Sequence, residues 1–193
     1  MTNGRSGSRL PPGQYETAKW PVLHYGSIPK IDLARWEFVV AGEVEEPRRW
    51  TWAEFTNLPR TTVRCDIHCV TAWSRFDNTF EGVAASEVLR HVRIRSGAAF
   101  AMMECCGGYT TNVPVADLLA GDALFALGHD GQPLAPEHGA PCRLVIPRLY
   151  FWKSAKWVRG ISLMRENRPG FWEQNGYHIR GDPWQEERYS DPW

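Results

Sequence analysis

The side chains with the most chemistry in this chain crowd into residues 64–74, RCDIHCVTAWS. Cys65, His68 and Cys69 are soft and borderline donors, the kinds of ligand that suit zinc, copper or iron. A closed structural zinc site needs a second paired ligand set, and the other cysteines do not supply one: Cys105 and Cys106 are adjacent and Cys142 stands alone. Two readings of the segment remain open on residue type alone: a metal site that uses Cys65, His68 and Cys69, or two buried thiols that act as small hydrophobes. His68 adjoins Cys69 and can change charge near neutral pH. Facing a metal it could shuttle a proton; facing away it is a polar strand residue, because neighbouring strand residues point to opposite faces.

A second group lies downstream. Arg143, Lys153, Ser154 and Lys156 bring a guanidinium, two ammonium groups and a hydroxyl to a strand end and the loop after it. Such a set suits phosphate oxygens, with Arg as a fork and Lys as a point charge. Neither GxxxxGK[ST] nor GxGxxG accompanies it, which disfavours an ordinary nucleotide loop. Asp66, Arg75, Asp77 and Tyr109 are further polar candidates for a substrate pocket, although residues of these types most often face solvent.

The elements that must position these groups can be read from patterning. A chain of 193 residues implies one domain. Twenty-two basic and twenty-two acidic residues cancel, which leaves no long-range field to collect nucleic acid or an anionic membrane. No secretory apolar stretch or spanning segment is seen, so a cytoplasmic protein with reduced thiols is expected. Residues 1–19, rich in Gly, Ser, Pro and Arg, read as a mobile arm before a single domain over 20–193. Trp36, Phe38 and Val40 fall on one face of a strand over 36–44. Thr51 and Glu54 make a capping box that opens a short helix ended at Pro59. Further strands are expected over 61–70, 99–105, 123–128, 142–147 and 156–164. A helix over 86–92 carries Val88, Leu89 and Val92 on one stripe, and another opens at Pro114 with Val115, Leu118 and Leu119 inward. Strands outnumber short helices, which argues a β-rich α+β fold. Ten Trp imply indoles in the core or aromatic walls around a cleft. Residues 165–193 are too aromatic for a free tail and read as an irregular wrap over the body.

Taken together, HCVTAWS at 68–74, FEG at 80–82, GYTTNVP at 108–114, LAPEHGAPCRLVIPRLYFWKSAKWV at 134–158 and GFWEQNGYHIRGDPW at 170–184 resemble the molybdopterin-binding oxidoreductases of the sulfite oxidase type, over roughly residues 20–184. The resemblance implies a mixed β-rich α+β fold with a pterin cleft, a molybdenum–molybdopterin cofactor, and Cys69 as the thiolate that completes the metal's sulfur coordination, with His68 beside it as a catalytic candidate. It implies pterin contacts from His24, Tyr25, Cys105, His138, Arg143, Ser154, Ala155 and Lys156. Relatives similar to the methionine-sulfoxide reductase catalytic subunit carry Thr in place of Cys105 and Asn in place of His138. The implied activity is two-electron oxygen-atom transfer on a small substrate such as a sulfoxide or a sulfite-like compound, with electrons exchanged through a separate partner. The alternatives are a catalytically silent molybdopterin-binding module and the zinc or iron protein already considered.

Overall fold

The structure, a computed structural model, describes residues 9–190. Its first element, β1 (Tyr15–Glu16), runs parallel to residues 73–74. Ahead of it Arg9 grips Asp66 at 2.6 and 2.9 Å and Asp77 at 3.1 Å, with its guanidinium over the Phe76 ring. The expected loose arm is therefore docked from Arg9 onward; residues 1–8 lie outside the described residues.

Trp36 is buried just before β2 (Glu37–Gly42), on whose inner face Phe38 and Val40 are buried too, as the period-two pattern requires. β3 (Arg48–Thr51) returns antiparallel and leads into α1 (Trp52–Thr56). Thr51 caps that helix: its hydroxyl accepts from the Glu54 amide, and the Glu54 carboxylate accepts from the Thr51 amide at 2.8 Å. β4 (Arg60–His68) is antiparallel to β5 (Trp73–Ala84), the longest strand. Sequence patterning does not reveal β5, because Asp77, Asn78 and Gly82 are poor strand formers and Asp77 has a φ of 56°. Gly82 is needed where it stands: a Cβ there would lie 2.0 Å from the Phe125 carbonyl oxygen.

α2 (Ala85–Leu89) is shorter than the expected 86–92 helix. β6 (Phe100–Cys105) pairs with β7 (Thr110–Pro114), and α3 (Val115–Leu119) follows with Pro114 as its N-cap. Val115 and Leu118 are buried, but Leu119 is half exposed, so the apolar stripe is narrower than expected. β8 (Leu124–His129), β9 (Gln132–Pro133), β10 (Arg143–Val145), β11 (Val158–Met164) and α4 (Phe171–Gln174) complete the order. One sheet runs β1–β5–β8–β10, with β4 also on β5 and β9 on β8; the other runs β3–β2–β11–β6–β7. The fold is α+β and β-rich, with short helices.

Two apolar clusters fill it. The larger surrounds Phe38, Phe55 and Phe125, and each fully buried aromatic contributes about 1.5–3 kcal/mol. The smaller joins Ile67, Phe80, Leu124 and Tyr150 to Cys69 and Trp152. This second cluster is the floor on which the reactive segment rests.

Candidate active site

Cys69 sits in the tight turn between β4 and β5. Its amide donates to the Trp73 carbonyl at 2.8 Å and its carbonyl accepts from the Ala72 amide at 3.0 Å. Ala72 takes a φ of 73°, a left-handed conformation that costs a non-glycine residue roughly 1–2 kcal/mol. The turn is clamped from both chain ends: Gln14 Nε2 donates to the Cys69 carbonyl at 3.0 Å and Arg188 Nη1 to the Val70 carbonyl at 2.6 Å. The Cys69 sulfur lies 3.2 Å from the Thr71 hydroxyl. Burial pushes its thiol pKa up, against the Thr71 hydrogen bond and the nearby Arg188 charge.

The sulfur opens on a cleft of about 330 Å³. Trp20, Leu23, His24 and Tyr25 wall one side, carried on irregular chain that crosses the domain before β2. Arg143 and the Ser154–Ala155–Lys156 loop form another side, and Trp172 and Tyr177 close it from the C-terminal wrap. The loop is tied inward where Ser154 Oγ accepts from the Ile146 amide at 2.9 Å and the Ala155 carbonyl accepts from Leu144 at 2.8 Å. Gly139, at φ 109°, lets the chain pass closely: a Cβ there would sit 3.0 Å from both the Arg143 and the Lys156 Cβ atoms.

Arg143 is buried, yet its guanidinium meets carbonyls rather than a carboxylate, donating to His138 O at 2.7 Å and Ser154 O at 2.8 Å. Lys156 Nζ likewise donates to Glu137 O at 2.6 Å and Leu23 O at 2.9 Å. Neither makes an ion pair among the described residues. Desolvation lowers the Arg143 pKa to about 9; desolvation and the adjacent Arg143 charge lower that of Lys156 to about 8. Two positive charges without a counter-ion on one cleft favour an anionic ligand, since a buried charge is costly until paired.

Not every sequence candidate reaches the cleft. The His68 ring turns away from it, with Nδ1 2.8 Å from the Ser74 hydroxyl, and burial lowers its pKa to about 4. Cys105 is buried in the larger core at the end of β6, with its thiol pKa raised well above the usual range by burial and then by Cys106. His138 lies behind Trp20, and its buried Nδ1 has no hydrogen-bond partner among the described residues. Tyr109 does line the cleft and donates to the Trp152 carbonyl at 2.8 Å. Lys153 instead lies behind it in a fully buried pair, 2.6 Å from Glu173. Asp66 and Asp77 serve Arg9, and Arg75 pairs with Asp130 at 2.8 Å, so all three belong to surface networks. Among the described residues no group of three or more His, Cys, Asp or Glu side chains is placed to hold a metal ion. That overturns a zinc or iron site built from Cys65, His68 and Cys69: His68 is committed to Ser74, and Cys65 packs against the smaller core with its thiol pushed up to about 12 by burial.

The sequence model of the family described as "Oxidoreductase molybdopterin binding domain" matches residues 25–172, a span that contains the Cys69 turn, Arg143 and the loop bearing Lys156. The chain belongs to this family. As a molybdopterin-binding oxidoreductase of the sulfite oxidase kind, it is 47% identical over 183 residues to the Bacillus subtilis protein named "Uncharacterized oxidoreductase YuiH", covering 94% of this chain and 92% of that one. It is 28% identical over 160 residues to the "Putative protein-methionine-sulfoxide reductase subunit YedZ1" of Azospira oryzae, covering 82% of this chain and 61% of that one. The sulfane dehydrogenase SoxCD of Paracoccus pantotrophus shares the fold, with a TM-score of 0.68 at 20% identity over 74% of this chain and 41% of that one. No helix among the described residues is long and apolar enough to cross a membrane.

The cleft walls are where sequence reading fell short. Trp20, Trp152, Trp157, Trp172 and Tyr177 come from three distant segments, and only the high Trp count hinted at an aromatic-walled cleft.

Proposed function

We propose that this molybdopterin oxidoreductase catalyses two-electron oxygen-atom transfer on a small substrate, with the Cys69 thiolate as the protein ligand of molybdenum. The observation that carries the reading is that one thiol and two uncompensated cations face the same cleft. A sulfur-rich metal centre calls for a soft anionic donor, and a metal's charge deprotonates a coordinated thiol even where burial alone disfavours the thiolate.

The donor set suits the group. Arg143 and Lys156 would take the pterin's terminal phosphate, exchanging part of their carbonyl bonding for charge-assisted contacts. Ser154 and Ala155 would contribute from the same loop, and His24 and Tyr25 from the crossing segment. His138 would act from behind Trp20 by holding Arg143 through its carbonyl. Cys105 lines the core, so any contribution from it would pass through the position of the β6 end.

When bound, the cofactor supplies two-electron redox chemistry with transfer of an oxygen atom. The chain does the rest. The doubly clamped Cys69 turn fixes the sulfur, Thr71 hydrogen-bonds it, and the aromatic walls exclude water. In the reducing direction the substrate oxygen leaves as water with two protons and two electrons, the electrons delivered by a separate partner. His68, bonded to Ser74 behind the turn, would orient the turn rather than touch substrate.

Cys69→Ala tests the assignment. The variant should stay folded, since such a truncation typically costs about 1 kcal/mol, and should lose oxygen-transfer activity. X-ray absorption should register one sulfur fewer at molybdenum. Unchanged sulfur coordination and turnover at full cofactor content would overturn the reading.

A further inference from the structure

We infer that Gln14 is a positioning residue of the metal centre: its side-chain amide ties the Cys69 turn to the Ser74–His68 pair and so fixes how the Cys69 sulfur is presented. The inference rests on the reading of Cys69 as the molybdenum ligand. It concerns a residue that the motifs of the sequence do not include, and Gln14 lies outside residues 25–172, the span matched by the family's model.

Local sequence explains why residue 14 can take this part. Pro11, Pro12, Gly13 and Gln14 make a tight turn, closed by the Gln14 amide on the Pro11 carbonyl at 3.2 Å. Pro12 and Gly13, the latter at φ 65°, hold the two central places, where Pro and a left-handed Gly are favoured. Arg188 Nη2 donates to the Pro12 carbonyl at 3.2 Å while its Nη1 holds the Val70 carbonyl, so one guanidinium joins this turn to the Cys69 turn. β1 then pairs at once with β5: the Tyr15 amide donates to the Ala72 carbonyl at 2.8 Å and the Thr17 amide to the Ser74 carbonyl at 2.9 Å. Gln14 is thus delivered to the Cys69 turn by backbone bonds on both sides of it.

Each hydrogen in the network has one place to go. The Cys69 carbonyl can only accept, so the Gln14 atom 3.0 Å from it is the amide nitrogen, and the amide oxygen faces the Ser74 hydroxyl at 3.1 Å. An amide oxygen also only accepts, which commits the single Ser74 hydroxyl hydrogen to Gln14. Ser74 Oγ is therefore the acceptor toward His68, whose Nδ1, 2.8 Å away, carries a hydrogen. Donation runs one way, from His68 through the buried Ser74 and then Gln14 to the Cys69 carbonyl. That carbonyl also accepts from the Ala72 amide at 3.0 Å, so both its lone pairs are used and its peptide plane is held. Hydrogen bonds of this outer kind orient a metal's ligand and tune the metal, and their loss typically costs about 10–100-fold in metal affinity or activity. Ala72, at φ 73°, gives the turn strain to release once Gln14 lets go.

Holoenzymes of the wild type, Gln14→Leu and Gln14→Glu test the inference. Leucine removes both side-chain bonds. Glutamate keeps an acceptor for Ser74 but sets a carboxylate oxygen against the Cys69 carbonyl. The electron paramagnetic resonance signal of half-reduced protein and the midpoint potential from a mediated titration report on the metal, and hydrogen exchange reports on the turn. Both variants should shift the g values and the potential. The Ala72 amide should exchange about fivefold faster in Gln14→Leu, the scale of one lost hydrogen bond. In Gln14→Glu the amides of Tyr15 and Thr17 should keep their protection while the metal signals still move, which a merely structural role would not produce. Wild-type g values and potential in both variants overturn the inference while leaving the ligand assignment intact. Where Gln14→Leu does not fold, Ser74→Ala takes its place: it removes one atom and the partner that orients the Gln14 amide, and wild-type metal signals there overturn the inference equally. If Cys69→Ala leaves the sulfur count at molybdenum unchanged by X-ray absorption, the ligand reading fails and this inference with it.

Discussion

The indole of Trp20 lies flat on the imidazole of His138, with ring centroids 3.9 Å apart and 13° between planes. The same indole meets His129 at 4.3 Å and has the Arg143 guanidinium 5.4 Å from its centre. One side chain from the irregular segment ahead of β2 thus covers the buried cation on which cofactor binding is proposed to depend. The segment is held further by Lys156 Nζ on the Leu23 carbonyl, a longer bond from Arg75 to the Ala18 carbonyl, and ring contacts of His24 with Trp157 and of Tyr25 with Phe171.

Replacing Trp20 should free the segment without unfolding the body. A stacked aromatic pair is worth about 0.5–1.5 kcal/mol beyond its burial. In Trp20→Ala, amides over residues 18–28 should exchange faster by hydrogen-exchange mass spectrometry, while β5 and β8 keep their protection. Cofactor should also dissociate faster from this variant.

The buried Lys153–Glu173 pair should show strong coupling. Glu173 Oε1 also accepts from Thr111 at 2.9 Å and Trp152 Nε1 at 2.9 Å, and Lys153 donates to the Asn112 and Ile179 carbonyls. Lys153→Met leaves the carboxylate without its counter-ion and should cost about 3–5 kcal/mol. The double variant Lys153→Met/Glu173→Gln should recover much of that loss, and urea denaturation of the full cycle measures the coupling.

Acid should weaken the fold through histidines held neutral. The His129 ring lies in a tight polar pocket, its Nε2 3.0 Å from Arg75 Nη1 and 3.1 Å from Asn78 Oδ1. Burial lowers the His129 pKa to about 4, with Arg75 and Arg143 adding to the effect against Asp130. His138 is also lowered to about 4, by burial and then by Arg143 and Lys156. The folded values lie below the unfolded value of 6.5, so the unfolded chain binds more protons between them. Stability present above that value is lost as pH falls toward about 4. His129→Gln should flatten this limb in thermal melts taken across the window.

The cleft cations should respond to pH in the opposite range. Lys156 titrates near 8 in the folded protein against 10.5 unfolded, so the cofactor-free protein should gain stability as pH rises between those values. A bound phosphate favours the charged lysine. The rise in Tm on cofactor binding should therefore shrink from pH 7 toward pH 10 in paired melts of loaded and empty protein, and Lys156→Met should remove much of that dependence.

Much of this is legible in the amino-acid sequence. The inner face of β2, the Thr51–Glu54 box and the concentration of chemistry around Cys69 follow from local patterning, and so does the grouping of Arg143 with Lys156. β5 escaped because its polar and glycine residues are paid for by pairing on both sides, which no local window contains. β7 escaped for want of alternation in TTNVP. The direction of His68 was undecidable from sequence, since a one-residue change of phase at the strand end reverses it. The cleft's aromatic wall is a product of tertiary folding: rings from residues 20, 152, 172 and 177 meet only once both ends of the chain have come in.

That last arrangement orders events during synthesis. Trp172 and Tyr177 wall the cleft, Glu173 neutralises Lys153, and Arg188 secures the Cys69 turn, yet all four residues emerge from the ribosome after every strand has been made. A chain cut after Gly170 would therefore keep the sequence of every described strand and still lack the aromatic wall, the partner of Lys153 and the clamp on the Cys69 turn.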